Sequence, residues 1–147
     1  METMGSRSAT ELLQLPVQLH GIRLGRPVDV LLDPEDWRAL GFVVLCRDES
    51  RRFLVFAATD LQPDAISVTS ALLLLEDVGF YLDRSRSLRT LLGAAAANGG
   101  HGLGELRDLL VAPDGRVEGL VVEEADGIVV EVGPAGVRVE PERVSAA

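Results

Sequence analysis

One stretch of the chain occurs twice. Gly25-Arg-Pro-Val-Asp29-Val-Leu31-Leu-Asp33-Pro34 returns as Gly104-Glu-Leu-Arg-Asp108-Leu-Leu110-Val-Ala112-Pro113, with glycine, aspartate, leucine and proline each recurring 79 residues later. The same offset pairs Ser8 with Ser87, Leu12-Leu13 with Leu91-Leu92, Gly21 with Gly100 and Leu24 with Leu103. Downstream, Gly41-Phe-Val-Val matches Gly119-Leu-Val-Val once a single residue is dropped. An internal repeat of this period restricts the chain to two related units, which either form two bodies or share strands in one.

Within each copy the pattern is that of short strands. Val17 and Leu19 alternate with polar residues ahead of a turn at Gly21, and a strand from Pro27 to Leu32 ends at Asp33-Pro-Glu-Asp36, where proline fixes φ and the carboxylate caps local amides. Leu40 to Cys46 and Phe53 to Ala57 are β-rich and are joined by the charged run Arg47 to Arg52; Ile66 and Val68 supply a fifth strand. The second copy reads Val117 to Glu124, a turn at Ala125-Asp-Gly127, Ile128 to Val132, then Val137 and Val139. Helices are brief. Ser8-Ala-Thr-Glu11 fits a capping box before Leu12, Leu13 and Leu15, stopped by Pro16, and Ser87 is placed to cap Leu88, Leu91 and Leu92. Gly93 is a stop for that second helix, although the alanines after it are helix-permissive; Asn98-Gly-Gly100 reads as a turn, and Gly25 and Gly104 as equivalent turns entering equivalent strands. The organisation expected is a terminus over 1–7, a first repeat over 8–80, a helical linker over 81–100 and a second repeat over 101–147.

With 147 residues and 47% hydrophobic content, there is enough apolar surface for one sizeable core or two small ones. No secretory signal pattern begins the chain, and the longest bulky apolar run, Ala71 to Leu75, falls far below the roughly 20 residues of a membrane-spanning helix, so a cytoplasmic setting is expected. A net charge of −9 opposes direct binding to nucleic acid or anionic membrane, and suits a basic protein partner. All 14 basic residues are arginine. The single cysteine, Cys46, excludes an internal disulfide and reads as a small buried hydrophobe.

The pattern Leu-Leu, Gly, Leu-Gly, Asp-x-Leu-x-x-Pro and Gly-[Phe/Leu]-Val-Val resembles the PRC-barrel, over roughly Pro16 to Leu75 and again over Ala95 to Val144. That module is known from the cytoplasmic part of the photosynthetic reaction-centre H subunit, from RimM-type ribosome-maturation factors and from small bacterial proteins. The resemblance implies a mostly β fold of two small antiparallel β-barrel repeats with short connecting helices, used for assembly and protein contact. It supplies no catalytic residue. Neither a membrane helix nor an N-terminal RNA-associated barrel accompanies the pattern, so neither complete relative is matched.

Residue chemistry points the same way. Gly99-Gly-His-Gly-Leu-Gly104 lacks the strand–helix context and the third glycine of a dinucleotide loop, having Arg107 instead. His20 and His101 stand beside Gly21 and Gly100 without a second ligand at metal spacing. Asp29, Asp33, Glu35 and Asp36, echoed by Asp108 and Asp114, form an acidic edge on a proline turn. Arg84, Arg86 and Arg89 with Ser85 and Ser87 could hold an anion at a helix start, but read more simply as a solvated face. No catalytic, cofactor or metal site is therefore expected.

A contact surface is expected. If Ala125-Asp-Gly127 makes a three-residue bulged turn, Leu120, Val122, Ile128, Val130 and Val132 share one face, and Val121, Glu123, Val129 and Glu131 the other. The matching outer positions of the first copy are Val43, Leu45, Leu54 and Phe56, an apolar set that must be covered by the Leu88–Leu92 helix and copy two, or by a partner or second subunit. The expected function is a non-enzymatic binding or assembly module meeting a protein partner or itself. The alternatives are a small-molecule or metal-binding sensor with its site between the repeats, and an accessory protein of ribosome or RNA maturation.

Overall fold

The computed structural model describes residues 5–33 and 35–141, and these are mostly β. In the first copy, β1 (Arg7–Ser8) and helix α1 (Ala9–Leu12) lead into β2 (Val17–Leu19), β3 (Ile22–Leu32), β4 (Ala39–Cys46) and β5 (Arg51–Val55). Short strands β6 (Asp60–Leu61), β7 (Ile66–Ser67) and β8 (Leu74–Leu75) follow, then helix α2 (Val78–Leu82). The second copy runs β9 (Arg86–Ser87), α3 (Leu88–Leu91), β10 (Ala95–Asn98), β11 (His101–Val111), β12 (Val117–Glu123), β13 (Val129–Val132) and β14 (Val137–Glu140).

Two sheets result, ordered β6-β7-β2-β3-β4-β5-β8 and β13-β12-β11-β10-β14. Both orders are open paths among the described residues, and no pairing closes either into a barrel. The repeat is nevertheless exact in its centre. β3 and β11 are each 11 residues long and lie 79 positions apart, and both bulge at the same point, between Pro27 and Asp29 and between Leu106 and Asp108. A bulge bends its strand and sharpens the twist, which lets one long strand serve hairpins on both sides.

Gly25 and Gly104 are equivalent, but they lie inside these strands rather than in turns. A Cβ on either would strike the carbonyl of the neighbouring strand, at Leu45 and Glu123 respectively. The glycines are therefore required by close backbone approach. The turns lie four to five residues earlier, where His20-Gly21 (φ 49° and 80°) and Gly99-Gly100 (φ 57° and 87°) make two-residue hairpins with both central residues left-handed. The alanines after Gly93 form strand β10 instead of continuing a helix. Ala96 matches Val17 at the common offset and is 1% exposed, so burial against the sheet overrides alanine's helix propensity.

The copies are joined by exchange. β1 pairs with β11 of the second copy (Ser8 opposite Leu110), while β9 pairs with β3 of the first (Ser87 opposite Leu31). Each brief helix follows its strand onto the other copy. Ala9, Leu12, Leu88 and Leu91 are at most 1% exposed and enter one core with Phe42, Leu54, Leu106, Leu109 and Leu120. Between the exchanged arms, Arg38 bridges Arg116 in antiparallel fashion; the Ala39 amide donates to Gly115 O (2.7 Å) and the Val117 amide to Trp37 O (2.9 Å). Arg38 and Arg116 are themselves equivalents at the shorter offset, so an approximate two-fold axis passes between them. The chain folds as a pseudo-dimer of its own halves.

The hairpins β4–β5 and β12–β13 are also equivalent, each with a three-residue connection closed by Cys46 N to Ser50 O (2.8 Å) and by Glu124 N to Ile128 O (2.8 Å). Gly127 takes the left-handed position (φ 86°) in one, and Glu49 (φ 69°) takes it in the other. Glutamate at that φ carries a steric penalty that glycine escapes. Glu49→Gly should therefore stabilise the protein by about 1 kcal/mol; a lower urea midpoint in that variant would contradict the geometry.

Candidate functional site

The duplicated aspartates hold the exchanged arms. Asp29 Oδ1 accepts from the amides of Val30 (2.9 Å) and Arg89 (3.2 Å), and Oδ2 accepts from the Ser87 hydroxyl. Asp108 repeats this on the other copy, with the amides of Leu109 (2.7 Å) and Thr10 (3.0 Å), the Thr10 hydroxyl (2.9 Å) and the Ser8 hydroxyl. A carboxylate at a helix start satisfies amides that have no partner within the helix. The anion received at the start of α3 is thus the chain's own Asp29, which leaves no vacancy there for a ligand. Ser8 makes its half of the expected capping box, accepting from Glu11 N (3.2 Å), with no return bond to the Glu11 carboxylate among the described residues, whereas the Ser87 side chain makes no cap within its own helix and is turned onto Asp29. The basic residues near α3 are oriented by contacts within the chain. Arg84 stacks on Phe80 (3.8 Å to the ring centre), Arg86 donates to Val139 O (3.0 Å) and Arg89 Nε donates to Val28 O.

The remaining polar candidates separate. His20 sits in the first hairpin turn, while its equivalent is Gly99; His101 begins β11, equivalent to Ile22. Among the described residues no three of His, Cys, Asp and Glu cluster at metal-holding distance. Asp33 caps its turn, accepting from Glu35 N (2.8 Å) and Asp36 N (3.0 Å), and the amides of Asp36 and Glu35 hold its carboxyl below the usual range. With Glu35 and Asp36 it edges a cleft of about 470 Å³ whose other wall includes Arg86, Arg138 and Glu140 of the second copy.

The four apolar residues expected on one outer face divide between two faces. Val43 (4% exposed) stands opposite Phe53, and Leu45 opposite Arg51; these side chains face outward. Leu54 pairs with Phe42 and is fully buried, and Phe56 stacks on Phe42 (ring centres 5.7 Å apart), so both belong to the shared core. The reason is register. The connection is Arg47 to Glu49, not Arg47 to Arg52, and a three-residue shift moves each side chain of the second strand to the opposite face. In the second copy Leu120, Val122, Val130 and Val132 do face the core, while Ile128 is 55% exposed at the turn.

The outer cluster of Val28, Leu31, Val43 and Phe53 is covered within the chain, by Leu75, Val78 and Tyr81 rather than by the Leu88–Leu92 helix. The Tyr81 ring stacks on Phe53 with centres 3.9 Å apart. No sequence signal marks α2 as the cover, because its Asp77 cap and five residues are too short to show a periodicity.

The equivalent outer positions of the second copy are mixed, Leu110 and Val121 staying apolar where Leu31 and Val43 stand in the first. Arg107 replaces Val28, Glu123 replaces Leu45 and Glu131 replaces Phe53, and Arg107 bridges Glu105 (3.1 Å) and Glu123 (3.2 Å). Cys46 lies half-buried at the end of the first copy's β4, where burial pushes its thiol up, against the opposing hydrogen bond of Ser50 and charge of Arg52. Iodoacetamide should alkylate it more slowly at pH 7 than a free cysteine, with the rate rising at higher pH than for a free thiol; faster alkylation at pH 7 would contradict this environment.

No helix among the described residues is long and apolar enough to cross a membrane. The chain matches no protein-family model, and no curated protein matches it.

Proposed function

We propose that the chain is a non-enzymatic, cytoplasmic binding and assembly module of two PRC-barrel-like repeats that contacts a protein partner. The observation that carries this reading is the division of labour between duplicated and divergent residues. The duplicated Ser8, Ser87, Asp29 and Asp108 fix one copy on the other, while equivalent outward faces have become apolar with arginines in one copy and acidic in the other. A rigid body that presents two different faces suits recognition rather than turnover. The likeness to a barrel rests on the two bulged strands, since strongly bent antiparallel hairpins are the units from which small barrels close.

Affinity capture with the intact chain as bait tests the reading. It expects a saturable protein partner, together with blank hydrolase, transferase and redox panels; turnover abolished by one polar-to-Ala change would overturn it. A second reading, a small-molecule or metal sensor, is favoured by the mixed-charge cleft between the repeats, whose volume of about 470 Å³ lies in the range of ligand sites. A thermal-shift screen with metals and nucleotides separates the two, because a ligand of the folded state raises Tm.

A further inference from the structure

Although the chain carries a net charge of −9, five of its 14 arginines gather on one face. Two adjoining hollows, of about 320 and 500 Å³, share Arg26 and Leu45. Arg51 and Arg89 complete the rim of the first, and Arg23 and Arg47 that of the second. The register makes this a continuous groove, because Arg26 on β3 faces Leu45 on β4, which faces Arg51 on β5. Its floor is aliphatic: Leu82 (45% exposed) and the half-buried Leu45 and Val78 stand over the nearly buried Val28 and Val43.

None of the five arginines has an ion-pair partner among the described residues. Arg89 is anchored through Nε to the carbonyl of Val28, in the β3 bulge. The one acid in the lining, Asp29, is already saturated by Ser87 and two amides. The equivalent face of the second copy has no such surplus, since Glu105 and Glu123 stand where Arg26 and Leu45 do, and Arg107 neutralises part of their charge.

We infer that this groove receives an acidic segment of a partner protein, with carboxylates on the arginine rim and interleaved apolar side chains on the aliphatic floor. The inference rests on the protein-contact reading above and gives that contact a place and a chemistry opposite to the basic partner suggested by net charge. Two other anions fit less well. Single-stranded nucleic acid uses aromatic platforms, and no aromatic ring lines either hollow. An anionic bilayer would meet the whole −9 molecule as well as the groove.

The test uses the intact chain and a short fluorescein-labelled peptide that interleaves aspartate and glutamate with leucine and valine, read by anisotropy. The peptide should bind, weaken as salt rises, and bind at least about tenfold less tightly to the double variant R26E/R51E. Both arginines are exposed, so the fold should survive; R26Q/R51Q, with a smaller loss, replaces the double variant if its melting temperature falls. Arg138→Glu, at the cleft between the repeats, should leave affinity unchanged. No binding to the unaltered chain, equal binding of a lysine-for-acid peptide, or affinity indifferent to R26E/R51E would overturn the inference. So would tighter binding of oligothymidylate or phosphatidylserine vesicles, or self-association of the protein that R26E/R51E abolishes, since the occupant would then be a different one. A captured partner retained by R26E/R51E would remove the groove while leaving the protein-contact reading intact.

Discussion

Replacing Asp29 or Asp108 by alanine is expected to lower stability by about 2–4 kcal/mol each, since each substitution removes a charged acceptor and strands one amide of its own strand together with an amide and one or two hydroxyls of the other copy's arm. Asp29 accepts three hydrogen bonds, from Val30, Ser87 and Arg89; Asp108 accepts four, from Leu109, Ser8 and twice from Thr10. The losses should therefore be similar, with Asp108→Ala slightly the larger. Urea unfolding measures both, and the midpoint should fall with little change in slope if the arms stay docked. A change below about 0.5 kcal/mol at either site, the size of an ordinary surface substitution, would mean that the carboxylates do not hold the arms.

A larger effect is expected at three glycines. Ala at Gly25 or Gly104 places a Cβ well inside 3.0 Å of the Leu45 or Glu123 carbonyl oxygen, and these are backbone atoms of the paired strand, which cannot turn aside. Gly104 also has φ 133°, which L side chains rarely adopt. At Gly41 the added Cβ meets the Leu54 carbonyl and the Phe53 ring. Each substitution should cost about 3 kcal/mol or more, at the upper end of overpacking, and can prevent folding. Gly119, the equivalent of Gly41, meets only the flexible side chain of Glu131 at 3.1 Å, so Gly119→Ala should be mild. Gly102, with nothing within 4 Å, serves as the control. Thermal melting of the five Ala variants gives the order directly, and a Gly41→Ala variant no less stable than Gly119→Ala would contradict the packing.

This contrast shows what the sequence makes legible. The constant offset identifies equivalent residues, so the equivalence of β3 with β11 follows from the repeat, whereas their full length and their bulges carry no signal in it. It cannot tell which copy an equivalent residue touches. Ser8 and Asp29 lie in one copy, and only the folded chain pairs Ser8 with Asp108. Glu49 hides the second kind of information. Where Gly127 announces a left-handed turn residue, glutamate at the same φ announces nothing, and the hairpin register read from the sequence slips by three residues. Leu54 and Phe56 consequently fall on the core side, while Val43 and Leu45 lie outward as expected. Ala95–Asn98 is a third case, because alanine favours helix in isolation and only burial beside β11 and β14 makes it a strand.

Two copies held by the same serine–aspartate contacts need keep only those contacts and the core, so their outer faces are free to diverge. The first copy's face is apolar, with Tyr81 over Phe53 and, around Leu45, arginines that have no ion pair among the described residues; the second carries Glu105, Glu123 and Glu131. One body therefore offers surfaces of opposite charge, an arginine rim on the first copy and carboxylates on the second.

The exchange of arms is the claim on which the rest depends, and double-mutant cycles test it most directly. Ser8→Ala combined with Asp108→Ala, and Ser87→Ala with Asp29→Ala, should each show a coupling of about 1 kcal/mol or more, as expected for residues in one hydrogen-bond network. Ser8→Ala with Asp29→Ala, and Ser87→Ala with Asp108→Ala, should be additive. The reverse pattern, with coupling inside each copy and additivity between copies, would show that each arm docks on its own repeat and would contradict the interlocked fold.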